Sequence, residues 1–231
     1  MTVISVVLVV TLSLTAFGSA SHRRAAFLTP APAQRLLPAG QPQPLVIAKL
    51  DALRIQLPIA ATRVTAIGFH GAGDGTLALQ PVGRQANEGL FARLGHSLFG
   101  GGGGGLRWYQ LGGGEGPQTG GLDVGAAAGT NVYSPVDGTV VGLTPYYLNG
   151  RQFGVQLDLQ PASAPSIVVS LTHLEPAARL SVGSQVTASA TRLGIVLDFS
   201  GVEQQSLAHF TNDAGNHVEI DVRPAATLTL P

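Results

Sequence analysis

The chain has 231 residues, only 11 per cent of them charged, and its 13 basic side chains balance 13 acidic ones. A neutral, sparsely charged chain lacks the electrostatic footprint of a nucleic-acid binder or of a protein held on an anionic membrane surface. Cysteine is absent, which excludes disulfides, thiolate metal sites, a cysteine nucleophile and a lipidated cysteine anchor. With 31 glycines, 15 prolines and valine-rich runs broken every ten residues or so, the composition predicts an all-β fold with few or no helices.

In chain order, Thr2 to Ala20 is uncharged and mostly aliphatic and is followed by His22, Arg23 and Arg24. Residues 1–20 therefore read as an export signal, with a membrane anchor as the alternative, and any membrane contact runs through residues 2–20. This predicts an exported protein, extracellular or associated with the cell envelope. Residues 21–44 are rich in Pro, Ala and Gln and read as a linker. Residues 45–98 read as an N-terminal β-rich segment. Within it, RVTAIGFHGAGDGTLAL (Arg63 to Leu79) predicts a hairpin with His70 at its turn, where no second ligand lies at useful spacing and a solvated turn histidine is the expectation.

Gln85 to Leu98 reads as a short helix or an irregular stretch, with His96 on its surface. Residues 99–117 form a glycine-rich loop that lacks the Gly-Lys-Ser/Thr ending of a phosphate cradle. It carries Trp108 and Tyr109, for which packing on the core is weighed above lining a groove. Residues 118–223 form the main β core, and 224–231 a tail. Asn131 to Tyr133 and Thr139 to Leu143 predict a hairpin across the turn Pro135-Val136-Asp137-Gly138, with Asp123 at its mouth. Phe153 to Leu159 and Ile167 to His173 read as strands, the second with Ile167, Val169, Leu171 and His173 on one face. VGSQV (Val182 to Val186) reads as a turn between strands, and Leu193 to Phe199 alternates again. The last strand, His217 to Arg223, sets Val218, Ile220 and Val222 on one face and His217, Glu219 and Asp221 on the other.

The fragments GLDVGAAAGTNVYSPVDGTVV, THLEP, VGSQV and GNHVEIDV, in that order and spacing between Thr119 and Val222, resemble the lysostaphin-type (LytM-like) zinc endopeptidases that cut peptide cross-links in peptidoglycan. The resemblance implies a two-layer antiparallel β core with a groove. It also implies that Asp123 matches a zinc-binding aspartate, His173 the histidine of an "HL" motif, and His217 the first histidine of H-x-H. Thr119 stands where the resemblance expects the first zinc histidine, and Glu219 where it expects the second.

A catalytic zinc site is built from three protein ligands with a fourth position open, so replacement of two of the three leaves enzyme or non-enzyme unsettled. Ligand count predicts a catalytically degenerate envelope protein that holds no zinc and binds peptidoglycan or a protein partner through the groove. The alternative is an active zinc endopeptidase with an altered ligand set, in which Asp123 and Glu219 hold the metal and His173 and His217 are catalytic. His209 supplies a missing ligand only if its loop folds inward. A biotinyl or lipoyl carrier is excluded because Lys49, the only lysine, lies outside the resembling region. Phosphotransfer conflicts with export.

Overall fold

The computed structural model describes residues 40–87, 105–148, 150–202 and 204–227. The N-terminal apolar run, most of the linker, His96 and nearly all of the glycine run lie outside the described residues. The fold is all-β in two layers; the described residues contain no α-helix, only short 3-10 turns. No helix among them is long and apolar enough to cross a membrane.

Strands β1 (Val46–Leu50), β2 (Leu53–Gln56) and β4 (Gln80–Pro81) form a small antiparallel sheet in the order β2-β1-β4. The large sheet is built from β3 (Val64–His70), β5 (Arg84–Gln85), β6 (Arg107–Gln110), β7 (Gly121–Ala126), β9 (Gly138–Leu148), β10 (Arg151–Pro161), β11 (Ile167–Pro176), β12 (Gln185–Val186) and β14 (His217–Pro224). Its order is β12-β9-β10-β11-β14-β7-β3-β6-β5, and β13 (Arg192–Val196) and β8 (Asn131–Tyr133) branch from β11. The pairings are antiparallel except at one edge, where β6 runs parallel to β3 and to β5.

Period-two alternation divides the central strands β10, β11, β14, β7 and β3 between two faces. Leu157, Leu159, Val169, Leu171, Val218, Ile220, Val222, Leu122, Val124, Ile67 and Phe69 enter one continuous buried cluster. The small sheet adds Ile47, Leu53 and Ile55 to that cluster, with Leu57 and Ile59 following it, and so covers the apolar face. Backbone bonds from Gln56 N to the Pro135 carbonyl (2.9 Å) and from Tyr133 N to the Pro58 carbonyl (2.7 Å) fasten the layers together. The opposite face carries His70, Asp123, His217, Glu219, Asp221, Thr172, Ser170 and Asp158, the polar partners that the apolar layer has no place for.

Three local expectations are corrected. Arg63 to Leu79 is not a hairpin: β3 pairs with β7 and β6, while Leu77 and Leu79 bond the backbones of Val222 and Thr119. The strands around Pro135 to Gly138 do not pair with each other, because β8 is taken by β13 and β9 by β10 and β12. His173 also leaves the face of Val169 and Leu171. Between Leu171 and Leu174 the strand β11 spends one more residue than β10 does between Leu157 and Val155, and His173 takes a left-handed φ of 62° in that bulge. The bulge turns its ring to the polar side. Trp108 packs edge-on against Phe69, with ring centroids 5.2 Å apart, in keeping with a core role.

Ile220 is fully buried between the layers, so Ile220→Ala is expected to cost about 2–5 kcal/mol in a urea unfolding curve. Val182→Ala, on an exposed turn, is expected to stay within about 0.5 kcal/mol.

Candidate metal centre on the polar face

The polar face of four adjacent strands, β11, β14, β7 and β3, brings the site together. Glu219 and Asp123 are direct cross-strand partners in the β14–β7 register, and Gly68 opposes Asp123 from β3. His70, two residues beyond Gly68 on the same face, opposes Gly121. A Cβ on Gly121 would lie 2.7 Å from His70 Cε1 and 2.9 Å from Nε2, so glycine here is what lets the ring lie across β7 toward Asp123.

His70 is where the solvated-turn expectation fails. Its Nδ1–H donates to the Gly71 carbonyl at 2.7 Å, which directs Nε2 at the carboxylates: 3.1 Å from Asp123 Oδ1 and 3.7 Å from Glu219 Oε1. One ligand atom each from His70, Asp123 and Glu219 lies within 4.8 Å of the others. Thr119 takes no part; its carbonyl accepts from Leu79 N at 3.0 Å. The imidazole of this cluster thus comes from β3 and not from the neighbourhood of position 119. His209 stays exposed in the 3-10 turn Ser206–Phe210.

Beside this trio stand the two other histidines. His217 donates Nδ1–H to the Gly215 carbonyl at 2.9 Å, and its Nε2 lies 3.0 Å from His173 Nδ1 and 3.5 Å from Asp123 Oδ1. In the neutral His217 ring, Nε2 therefore accepts from His173 Nδ1–H. The Thr172 hydroxyl donates to Glu219 Oε2 at 3.2 Å, which fixes the carboxylate plane and leaves Oε1 toward His70. Apolar groups flank the strip. Leu111, Leu207, Tyr109 and Phe210 cluster above β3, and Phe199 lies against His173 at 4.4 Å between centroids, with Tyr146 edge-on to the same His173 ring and Phe153 against Phe199.

The electrostatics follow from this packing. Burial works against a charged His70, but the Asp123 hydrogen bond and charge, the Gly71 carbonyl and the Glu219 charge outweigh it and raise the ring to about 9. Burial also opposes ionisation of Asp123, yet His217 and His70 hold its carboxyl below the usual range. Glu219 moves the other way, pushed up by burial and then by the Asp123 charge. His173, buried and beside His217, is pulled down to about 3 and stays neutral at ordinary pH.

In the protein free of metal, the proton on His70 Nε2 sits between two carboxylates where a dication would otherwise balance them. The residues fit such an ion. They supply one imidazole with its other nitrogen tethered and two carboxylate oxygens, the donor types and number of a catalytic metal site with positions left open.

No family model matches the chain, and no curated protein matches it. Among solved structures it is similar to lysostaphin in solution, with 16% identity over 47% of this chain and 37% of that one and a TM-score of 0.34. It is also similar to pseudoalterin, an M23 metalloprotease from the deep sea, with 12% identity over 74% of this chain and 70% of that one and a TM-score of 0.39. The hexagonal crystal form of Helicobacter pylori Csd3 matches at 18% identity over 48% of this chain and 27% of that one, with a TM-score of 0.31. The chain thus spans well under half the length of the lysostaphin and Csd3 structures. In backbone layout it is similar to these lysostaphin-type and M23 peptidase structures.

A histidine whose pKa is raised on folding adds stability that is fully present below its ordinary 6.5 and is lost as pH rises through about 9. In metal-free protein, the His70 ring protons followed by NMR are expected to titrate near 9, and in Asp123→Asn to fall toward 6.5. Gly121→Ala, which pushes the ring aside, is expected to lower the midpoint in the same direction.

Proposed function

We propose that this chain is an exported envelope protein whose groove receives a peptide over a divalent cation held by His70, Asp123 and Glu219, and that it hydrolyses peptide cross-links of peptidoglycan. The observation that carries this reading is the convergence of those three side chains, from three adjacent strands, beside the His173–His217 pair. Export rests on the apolar run Thr2 to Ala20, and the substrate class on the resemblance of Thr119 to Val222 to lysostaphin-type endopeptidases.

A bound dication supplies Lewis acidity toward a substrate carbonyl and lowers the pKa of water. The protein's own groups do the rest. Gly71 and Thr172 fix the orientation of His70 and Glu219, as outer partners of metal ligands commonly do. His217, held through Nδ1 by Gly215, has Nε2 at the edge of the trio; once the bond it receives from His173 opens, that nitrogen accepts a proton from water and returns it to a leaving amine. In the resting protein the neutral His173 donates to that nitrogen and keeps the ring in place. The Leu111–Leu207 cluster and Phe199 limit water on either flank, which strengthens every charge interaction between them.

One observation favours a second reading, a groove that binds peptide without turnover: the positions of both zinc imidazoles in the resemblance hold Thr119 and Glu219, and His70 makes good only one of them. The two readings separate in a single assay. Purified protein with added dication is expected to release new amine ends from peptidoglycan, with activity lost on chelation and reduced at least about a hundredfold in His217→Ala, the scale of general acid–base catalysis. Peptidoglycan binding that persists in chelator with no amine release selects the binding protein.

A further inference from the structure

The donor set has a chemical bias. Two of its three ligand atoms are anionic carboxylate oxygens, and the single imidazole is His70. Glu219 is built into the set and is not a spare surface acid: it sits opposite Asp123 in register, and Thr172 holds one of its oxygens so that the other faces His70 Nε2 at 3.7 Å. The neighbouring imidazoles are already engaged, His217 with Gly215 and His173, and His173 with His217. Softer donors are absent, since the chain has no cysteine and its single methionine is Met1.

Carboxylate, carbonyl and water ligands suit Mn²⁺ and other hard dications, whereas imidazole suits zinc, copper and nickel. Hard dications also take more ligands than the four of a zinc site and fill the remainder with water. The side chains of His70 and Glu219 are 19% and 21% exposed, so one side of the trio opens to solvent and has room for such waters.

Resting on the metal-centre reading above, we propose that the centre accommodates a hard, oxygen-preferring dication, with Mn²⁺ as its representative, and discriminates for zinc much less than a two-imidazole, one-carboxylate site does. The glutamate at position 219 is the residue that sets this preference. Replacing it by histidine restores the softer donor set, and replacing it by glutamine removes one anionic oxygen with little change of shape.

The test uses the full chain stripped of metal. Mn²⁺ binding is read by loss of the free-ion electron paramagnetic resonance signal, and Zn²⁺ affinity by competition against bound Mn²⁺, with circular dichroism to check folding of each variant. The wild-type protein is expected to bind one Mn²⁺, and His70→Ala to lose it. The ratio of zinc to manganese affinity is expected to rise at least about tenfold in Glu219→His, and Glu219→Gln to weaken Mn²⁺ more than Zn²⁺. Should Glu219→His fail to fold, Glu219→Gln alone decides. A ratio unchanged in both variants, while all bind metal through His70, overturns the preference and leaves the metal centre standing. Failure of the wild-type chain to bind either ion overturns the metal centre and the preference together.

Discussion

Two carboxylates placed directly opposite each other on neighbouring strands repel, and the ring of His70 lying between Asp123 and Glu219 is what makes the arrangement tenable. The His70 proton, or a dication in its place, supplies the positive charge. Much else on this face serves that contact. Gly121 clears the space, the Gly71 carbonyl orients the ring, Thr172 holds the glutamate, and His217 stands 3.5 Å from Asp123 Oδ1. A charged trio of this kind is costly to bury unless its members satisfy one another, and their differing shifts, His70 up, Asp123 down and Glu219 up, are the outcome of that mutual dependence.

The sheet makes the site possible because its two faces have separate duties. The apolar face is sealed by the small sheet of β1, β2 and β4, so the rigidity of the layer does not depend on the polar side. The polar face is left to hold functional groups at fixed cross-strand spacing, which is more exact than a loop provides. The bulge at His173 adds the one irregular feature the site needs. Regular alternation would have buried that ring among Val169 and Leu171; the left-handed backbone at His173 sends it to His217 instead.

The all-β class was legible from composition, and the division of the last strand into Val218, Ile220 and Val222 against His217, Glu219 and Asp221 was legible from alternation, because both are local properties. The partner of each strand was not. Asn131 to Tyr133 and Thr139 to Leu143 look like a hairpin, yet β8 pairs with β13, far along the chain, and no short-range signal carries that choice. His70 was missed for the same reason. It lies 53 residues before Asp123, outside the stretch that resembles the peptidases, and only the β3–β7 register brings the two together. A signal was present in part: alternation in Ala66-Ile67-Gly68-Phe69-His70 puts His70 on the face opposite Ile67 and Phe69, and Gly121 two residues before Asp123 hinted at a close approach. Reading the two as neighbours required the sheet.

The central claim is that β3 supplies the imidazole ligand in place of position 119. Anomalous diffraction from crystals of the full chain soaked in Mn²⁺ or Zn²⁺ tests it most directly. The account predicts one strong peak on the polar face, about 2.0–2.2 Å from His70 Nε2 and from carboxylate oxygens of Asp123 and Glu219. A peak held by His173 and His217 with His70 turned away, or no peak in the groove at ion concentrations that saturate binding elsewhere, would contradict it.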